Sequence, residues 1–328
     1  MVAVSVVVPC YNQGGFLAQC LDSIVAQAGV ELDIVVVDDG STDQTAKVVA
    51  HAQAADARIR YFHKKNGGLS SARNLGLLVA TGEYVKLLDS DDVLAPGSLA
   101  LQAAYLSAHP ECDVAYGVSQ YFNDGEFGVF RSTFLPDAGS PNWISELGES
   151  AEPWILKFLG RNMMPVCSPL FRRSLIERVG LFDMRLRSME DWDFWLRAVL
   201  ARCSFDFVRE FGTVAYIRTH RASLTVNASN MSRGEYAMRC NIHPGLPDRE
   251  SRAVNAAMLL DLARRLELAG DPAGYAHARA VLTGFREKWL LRFNMALNRC
   301  LGGAPGRLLR SWLPWRIRHS LAQAGLHF

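Results

Sequence analysis

The sequence predicts an α/β fold in which a doubly wound, mixed and mainly parallel sheet is flanked by helices and followed by a helical C-terminal region. Three observations support this prediction. Strand-like and helix-like runs alternate through the first hundred residues. The strand-like runs are continuously apolar, as expected for a sheet that helices cover on both faces. Beyond residue 226, apolar residues recur at helical spacing instead.

The predicted elements follow one another in a regular order. Four strands are predicted in VAVSVVV, ELDIVVVD, RIRYFH and YVKLLD. The helices between them are predicted in FLAQCLDSIVAQ, DQTAKVVAHAQA and LSSARNLGLLVA. Residues 162–205 predict a short apolar strand, a helix, a glycine turn and a second helix that opens at MEDWDFWLRAV. Ligands of doubly wound sheets bind beyond the carboxyl ends of the strands, so a site is expected there.

The length of the chain, 328 residues, favours one large domain with a smaller appendage. We predict an α/β domain over residues 1–225, with parts 1–110 and 111–225, and a helical region over 226–328. The helices of that region are predicted in SRAVNAAMLLDLARRLELAG and YAHARAVLTGFREKWLLRFNMALNRCL, which GDPAG separates.

Composition excludes several classes of protein. A chain with 49% hydrophobic and 21% charged residues is typical of globular rather than disordered proteins. The seven cysteines are odd in number, dispersed and never in CxxC spacing, which disfavours a disulfide framework and a zinc site and favours a reducing compartment. No apolar run reaches roughly 20 residues, and the first one is too short and too β-branched for a signal peptide, so no membrane-spanning helix is expected.

Three carboxylates, Asp89, Asp91 and Asp92, directly follow the fourth predicted strand in YVKLLDSDDVL. Like charges this close cost free energy unless something neutralises them. A hard divalent cation is the usual partner of such a cluster. The sequence therefore predicts a cation here, and a substrate that the cation binds.

Polar residues also follow the first two strands, as PCYN at 9–12 and DDGSTD at 38–43. Together with DSDD at 89–92 they lie at three strand ends that can converge on one crevice. Each segment alone has a simpler interpretation. PCYN can be a turn and a helix start, and DDGSTD can be a glycine turn followed by a helix N-cap, with Ser41, Thr42 or Asp43 as the capping residue.

The segment NGGLSSARN, residues 66–74, adds a basic side chain. Its two glycines permit positive φ or close backbone approach, and Ser70 or Ser71 can cap the following helix. Arg73 then lies in the first helical turn, where the helix dipole disfavours a positive charge. A phosphate or carboxylate partner explains Arg73 better than the alternative of a solvated arginine.

In this order, PCYN, VDDGSTD, NGGLSSARN and LDSDD resemble the nucleotide-sugar-binding half of glycosyltransferase family 2 enzymes, which have the GT-A fold. All four motifs lie within the first 92 residues. Each is weak alone, whereas the ordered set is specific. The resemblance implies that residues 1–110 bind a nucleoside diphosphate sugar and that residues 111–225 supply acceptor binding and the catalytic base.

The resemblance implies that Asp89 and Asp91 are the family's DxD carboxylates and that the cation is Mn²⁺ or Mg²⁺. Asp91 is then expected to contact the metal directly, and Asp89 to contact the ribose or to reach the metal through water. Ser90 joins the donor-binding residues, and Asp92 supports the metal ligands. A divalent ion stabilises the charge that develops on a departing diphosphate.

The same resemblance implies that Pro9, Tyr11, Asn12 and Asp38 line the pocket for base and ribose. Asp38 is expected to accept a hydrogen bond from an imide-like base edge, with Asp39 as the alternative. Uracil and thymine carry this N–H donor, so UDP or dTDP sugars are favoured.

Glu190 and Asp191 open the helix predicted at EDWDFWLR, where the dipole favours negative charge. They can be capping carboxylates on a packed helix. The resemblance to the family's catalytic ED segment implies instead that Asp191 is the base of an inverting displacement and that Glu190 orients the acceptor or is the reserve base. Residues that follow at core-facing spacing are Trp192, Trp195, Leu196 and Val199.

The segment VAYIRTHRASLT, residues 214–225, resembles the family segment that closes over the diphosphate. It implies a phosphate contact for Arg218 and a metal or phosphate contact for His220. The alternative for this histidine is a surface residue.

Residues 281–328 form a basic segment with a net charge of +7, whereas the whole chain carries +2. The segment also holds Trp289, Trp312 and Trp315. A basic, aromatic helix without a spanning segment is typical of an interfacial membrane helix, and packing on the protein itself or on a partner chain is the alternative. A nucleic-acid partner is disfavoured because no nucleic-acid-binding signature accompanies the charge.

These observations predict an inverting, metal-dependent glycosyltransferase at the cytoplasmic face of the plasma membrane, with a saccharide or lipid-linked saccharide acceptor in surface polysaccharide assembly. A catalytically degenerate membrane-associated scaffold is one alternative. A sugar nucleotidyltransferase is another, disfavoured because PCYNQGG lacks the basic residue of a glycine-rich phosphate loop.

Overall fold

The computed structural model describes residues 1–134, 152–209, 212–220, 223 and 228–268. These fall into two compact units. The first contains residues 1–134, 164–187, 201–209, 212–220 and 223, and the second contains 152–163, 188–200 and 228–268. Two segments of the predicted 1–225 domain thus group with the C-terminal helices, and the boundary near residue 225 stays a prediction.

The first unit opens with the predicted alternation of strands and helices. Every one of these seven elements ends within two residues of its predicted limits. They are β1 (Ala3–Cys10), α1 (Gly14–Val25), β2 (Glu31–Asp38), α2 (Thr45–Ala55), β3 (Ile59–His63), α3 (Leu69–Val79) and β4 (Tyr84–Leu87).

Shorter strands and further helices complete the described chain. The first unit adds β5 (Val93–Leu94), α4 (Ser98–Ala108), β6 (Val114–Tyr116), β7 (Val118–Asn123), β8 (Phe130–Phe134), β9 (Pro169–Arg172), α6 (Leu175–Val179), β10 (Phe205–Phe207) and β11 (Val214–Thr219). The second unit consists of α5 (Glu152–Gly160), α7 (Glu190–Leu200), α8 (Ala228–Ile242), a 3₁₀ turn (His243–Gly245) and α9 (Arg249–Leu268). The elements predicted within residues 162–205 are confirmed as β9, α6 and α7, with a turn at Gly180.

Seven strands form one mixed, mainly parallel sheet in the order β10-β6-β9-β4-β1-β2-β3. Among the described strands of this sheet, only β9 runs antiparallel to its neighbours, β4 and β6. The predicted fold class is therefore confirmed, and the carboxyl ends of β1, β2 and β4 share one edge.

A second sheet of four strands, in the order β5-β11-β7-β8, was not predicted. Its strands lack the continuous apolar runs that identify β1 to β4. β5 has two residues, and β7 carries polar residues such as Ser119 and Gln120. Because β5 follows the DSDD loop directly and pairs with β11, this sheet brings the end of β11 next to that loop.

Helices on both faces of β1 explain why its sequence is apolar apart from the buried Ser5. Val4, Val6 and Val8 pack in one cluster with residues of α1, and Val7 faces α3 on the other side. A Cβ atom at Gly76 of α3 would lie 2.2 Å from Val7 Cγ1, so only glycine allows this close approach. Strand β1 is consequently fixed in position, and the loop at its end with it.

Lys86 on β4 is buried, so its amino group lies inside the core of the first unit. Its Nζ donates to Gln102 Oε1 and to the carbonyl of Ser168, both at 2.8 Å. Burial lowers the pKa of Lys86 to about 7 because the charged form loses its hydration.

We expect Lys86 to make stability depend on pH. An unfolded lysine titrates near roughly 10.4, so between about pH 7 and pH 10 the unfolded chain binds more protons than the folded one. The free energy of unfolding should therefore rise with pH in this window by up to about 1.4 kcal/mol per unit, and lose this contribution as pH falls towards 7. Lys86→Met should lack this increment in urea titrations at pH 7, 8 and 9. The same slope in the variant would contradict the assignment of a neutral lysine.

Candidate functional site

Loops at the carboxyl ends of β1, β2 and β4 are linked by hydrogen bonds. The side-chain Oδ1 of Asn12, after β1, accepts from the backbone amide of Thr42 at 2.8 Å. The backbone amide of Asn12 donates to Ser41 Oγ at 2.9 Å. Ser90 after β4 donates its hydroxyl to Gln13 Oε1. The predicted convergence of PCYN, DDGSTD and DSDD is thereby confirmed.

The loop after β1 turns sharply at Asn12, which has φ +52°, a left-handed conformation that asparagine tolerates better than most residues. Pro9 before the turn is buried at the end of the strand. Tyr11 is 51% exposed, so its ring is open to contact with a ligand.

Asp38 ends β2 as a buried carboxylate. Tyr61 donates its hydroxyl to Oδ2 at 2.6 Å, and the Ser41 amide donates to Oδ1 at 2.7 Å. Burial acts to raise the pKa of Asp38, but the hydrogen bonds from Tyr61 and Ser41 outweigh it and lower the pKa below its usual value. Asp38 is therefore ionised at neutral pH and acts as an acceptor.

Asp39 is also buried, but it holds the neighbouring loop. Its carboxylate accepts from the amides of Gly67, at 2.9 Å, and Gly68, at 2.7 Å, and from Lys64 Nζ. Both oxygens of Asp39 are thus engaged within the protein, as are both oxygens of Asp38. The choice between Asp38 and Asp39 as the acceptor for a ligand stays a prediction.

The predicted helix caps are only partly correct. Asp43 accepts from the amide of Thr45, the first residue of α2, at 3.0 Å, but the N-cap residue is Gln44, which makes no side-chain cap. The cap predicted for α3 at Ser70 or Ser71 is wrong: the helix follows Gly68 at φ +91° without a side-chain cap. The Asp39 carboxylate, in the loop that follows β2, accepts hydrogen bonds from the amides just before α3 instead.

The DSDD loop after β4 buries three carboxyl groups to different extents. The side chain of Asp89 is 31% exposed, that of Asp91 is 14% exposed, and Asp92 is buried. Each has a different partner. Asp89 Oδ1 lies 2.7 Å from Arg73 Nη2, Asp91 Oδ2 lies 2.8 Å from His220 Nε2, and Asp92 Oδ1 accepts from the Arg218 amide at 3.0 Å.

The mutual repulsion of these carboxylates persists despite their partners. Burial, and then the charge of Asp89, raises the pKa of Asp91 in spite of the contact with His220. Burial and the charges of Asp91 and Asp89 raise the pKa of Asp92 well above its usual value. Additional positive charge at this loop would therefore be stabilising.

Asp91 and His220 fit a divalent cation. A carboxylate oxygen and an imidazole nitrogen are both ligands for Mn²⁺, and here they lie 2.8 Å apart. Among the described residues, no group of three or more His, Cys, Asp or Glu side chains is arranged to hold a metal.

Arg73 on α3 is 1% exposed, so the alternative of a solvated arginine is wrong. Its guanidinium pairs with Asp89 and lies 5.5 Å from the Phe182 ring centroid. The predicted carboxylate partner is thus present within the protein. Contact of Arg73 with a donor phosphate stays a prediction.

Arg218 on β11 supports the DSDD loop. Its Nε donates to the Asp91 carbonyl at 2.9 Å, and its Nη1 lies 2.9 Å from Asp124 Oδ1. The guanidinium lies 5.0 Å from the centroid of Phe16 and 4.8 Å from that of Phe122. Contact with a phosphate therefore competes with these internal contacts, and it stays a prediction.

His220 follows β11 and faces the same loop. Its side chain is 9% exposed, so the alternative of a surface histidine is wrong. The ring centroid lies 4.8 Å from that of Phe16, which orients Nε2 towards Asp91. His220 is consequently placed to share a ligand with Asp91.

In the second unit, Glu190 and Asp191 begin α7 as predicted. Glu190 is buried and Asp191 is half-buried. Asp191 Oδ1 accepts from the amide of Trp192 at 2.7 Å, and Oδ2 accepts from Asn162 Nδ2 at 3.0 Å. The predicted core-facing residues of this helix are all buried, namely Trp192, Trp195, Leu196 and Val199.

Sequence reasoning did not identify several side chains that contact these residues. Gln13 directly follows PCYN, and this adjacency is a local signal that could have identified it. Tyr61, Asp124 and Asn162 are separated from their partners by 23, 94 and 29 positions. No local spacing marks them, because folding alone brings them to their partners.

The mixed sheet, with an acidic loop at the end of a central strand, defines a GT-A fold. The chain belongs to glycosyl transferase family 2, because the sequence model of that family matches residues 5–180, more than half of the chain.

Relatives and solved structures agree with this assignment. The chain is 33% identical over 196 residues to the uncharacterized glycosyltransferase EpsJ of Bacillus subtilis, covering 60% of this chain and 55% of EpsJ. The chain thus spans about half the length of this relative. S. aureus TarS 1-349 in complex with UDP-GlcNAc has a TM-score of 0.58 at 21% identity, covering 99% of this chain and 79% of that one. Mannosyltransferase PcManGT from Pyrobaculum calidifontis, in complex with GDP-Man and Mn²⁺, also has a TM-score of 0.58. Its identity is 18%, and the match covers 98% of this chain and 86% of that one. At these identities the two structures support the fold.

No helix in the described part of the chain has the length and apolar character needed to cross a membrane. The basic segment predicted to bind a membrane, residues 281–328, lies outside the described residues.

Proposed function

We propose that this chain is an inverting, metal-dependent glycosyltransferase that moves a sugar from a nucleoside diphosphate sugar to an acceptor hydroxyl. One observation carries the proposal. The buried acidic loop at the end of β4 is linked to the loops after β1 and β2, and Asp91 lies 2.8 Å from His220. Repelling carboxylates beside an imidazole are explained by a ligand that brings a cation and phosphates.

For the donor, Asp38, Pro9, Tyr11 and Asn12 contact the base and ribose. Asp38 is ionised and accepts from an imide-like N–H, which favours a UDP sugar. Ser90 and Asp89 contact the ribose, and Arg73 and Arg218 contact the diphosphate. Similar structures support a nucleotide-sugar donor, because TarS is in complex with UDP-GlcNAc and PcManGT is in complex with GDP-Man.

For the metal, Asp91 and His220 would hold Mn²⁺ or Mg²⁺, and Asp89 would contact it through water. The ion, when bound, neutralises the charge of the diphosphate as it departs. The PcManGT structure contains Mn²⁺, which supports this choice.

For the chemistry, Asp191 accepts the proton of the acceptor hydroxyl while Glu190 orients the acceptor. The acceptor oxygen forms a bond to the anomeric carbon as the bond between that carbon and the diphosphate oxygen breaks. Attack opposite the departing group inverts the configuration at that carbon.

The acceptor is a saccharide or lipid-linked saccharide in surface polysaccharide assembly, and the basic segment 281–328 attaches the protein to the inner face of the plasma membrane. Lys and Arg residues attract anionic lipid headgroups, and Trp side chains prefer the interface. Deleting residues 304–328 should lower binding to liposomes that contain anionic lipid, measured by co-sedimentation. Binding equal to that of the full chain would contradict the membrane role.

A thermal-shift screen against UDP, GDP, dTDP and CMP, with and without Mn²⁺ or Mg²⁺, tests the proposed donor site. A ligand that binds only the folded state raises the apparent stability by mass action, by about 2.7 kcal/mol at a concentration of 100 times its Kd. We expect the largest metal-dependent shift with UDP. If none of the nucleotides shifts the melting temperature, the result would support the alternative of a catalytically degenerate scaffold.

A further inference from the structure

Asn162 contacts Asp191 within the second unit. It follows α5, and its Nδ2 lies 3.0 Å from Asp191 Oδ2. The Trp192 amide donates to the other oxygen, Oδ1, at 2.7 Å. With one donor on each carboxylate oxygen, the two bonds fix the plane of the carboxyl group.

The orientation of the Asn162 amide follows from chemistry. An ionised carboxylate only accepts hydrogen bonds, so the NH₂ group must face Asp191. The amide oxygen, Oδ1, is buried and has no hydrogen-bond partner in the part of the chain that the structure describes. Burying an unpaired oxygen costs free energy, and an apolar side chain of similar size would avoid that cost. The presence of an amide is therefore explained by its contact with Asp191.

The segment that carries Asn162 is anchored to α7. Trp192 donates from Nε1 to the carbonyl of Phe158 at 2.6 Å, and Phe158 is fully buried. Asn162 lies four residues further on, so the same anchor fixes both partners of the contact. Asp191 and Asn162 are thus held together by packing rather than by their own bond alone.

We propose that Asn162 is a positioning residue for Asp191, which rests on the proposed role of Asp191 as the base. The Asn162 N–H stabilises the ionised carboxylate and holds its plane in the orientation that receives the acceptor proton. On the helices packed against α7, the charged residues whose side chains the structure describes are Lys157 on α5 and Arg233, Glu235 and Arg239 on α8, of which Glu235 and Arg239 form an ion pair. Glu190 and Asp193 flank Asp191 on α7 itself.

Two variants test the proposal. Asn162→Ala removes the N–H donor, and Asn162→Asp keeps the shape but places a second carboxyl beside Asp191. The ionisation of Asp191 is read from the ¹³C signal of its carboxyl group in protein labelled at aspartate, with the signal assigned through Asp191→Asn. We expect the pKa of Asp191 to rise by about one unit in Asn162→Ala, and further in Asn162→Asp because two carboxyls then repel each other.

Kinetics provide the second readout. With UDP-GlcNAc or GDP-Man as donor, nucleotide release in Asn162→Ala should show a kcat about 10- to 100-fold lower, with the donor KM nearly unchanged and the acid limb of the pH profile moved to higher pH. Asn241→Ala, an exposed asparagine in the same unit, is the matched control and should resemble the wild type.

The two readouts separate the two proposals. An unchanged Asp191 pKa in both variants would overturn the role of Asn162, even with an active wild type. A raised pKa together with a kcat of Asp191→Asn equal to that of the wild type would support the effect of Asn162 on Asp191 and refute the role of Asp191 as the base.

Discussion

Replacing Asp91 by alanine is expected to remove the metal-dependent part of nucleotide binding and to lower turnover about a thousandfold. A metal ion contributes several kcal/mol to transition-state stabilisation, which corresponds to a factor of this order. Asp91 is the carboxylate of the acidic loop that pairs with His220, so the variant leaves the histidine without its partner oxygen. The thermal shift caused by nucleotide should become the same with and without Mn²⁺.

Loss of folding can be distinguished from loss of the metal. Asp91 is one of three neighbouring carboxylates that repel one another, so its removal should not lower the melting temperature of the protein without ligand. Asp22→Ala, an exposed aspartate on α1, is the matched control. A metal-dependent shift that persists in Asp91→Ala would contradict the assignment of Asp91 as a metal ligand.

Replacing Asp191 by asparagine is expected to lower kcat by about 10²- to 10⁴-fold, the usual contribution of a positioned base. Asparagine has the same shape, and its Oδ1 can still accept from the Trp192 amide. The helix start should therefore be preserved, and metal-dependent nucleotide binding with it. Measuring kcat and the nucleotide thermal shift on the same preparation tests both expectations.

Glu190→Gln is the matched variant for this test, because Glu190 precedes Asp191 on the same helix. We expect Glu190→Gln mainly to raise the KM for the acceptor. The reverse order of effects, with kcat lost in Glu190→Gln and kept in Asp191→Asn, would assign the base to Glu190.

The sequence predicted the central sheet because its strands are identified by local composition. β1 and β2 are apolar on both faces, and helices cover them as the pattern indicates. The second sheet was missed because β5 has two residues and β7 is partly polar. Strands of this kind are stabilised by pairing partners that are distant in sequence, and no local period marks them.

In the candidate site too, local motifs predicted some features, and others depended on residues distant in sequence. The motifs predicted which loops converge, and the helix dipole argument predicted a carboxylate or phosphate partner for Arg73. That this partner is Asp89 could be recognised only from the folded structure. The cap predicted at Ser70 or Ser71 is wrong because Asp39, in the loop that follows β2, accepts hydrogen bonds from the amides that precede α3. Long-range contacts of this kind decide which polar groups remain available to a ligand.

The most direct test of the proposed function is to follow the sugar that the protein frees from an α-linked donor, UDP-GlcNAc or GDP-Man, by ¹H NMR of its anomeric proton. With Mn²⁺ present and water as the acceptor, in-line displacement predicts that the β anomer appears first, and that chelation of the metal stops its release. Appearance of the α anomer first, or release that is independent of metal, would contradict an inverting, metal-dependent glycosyltransferase.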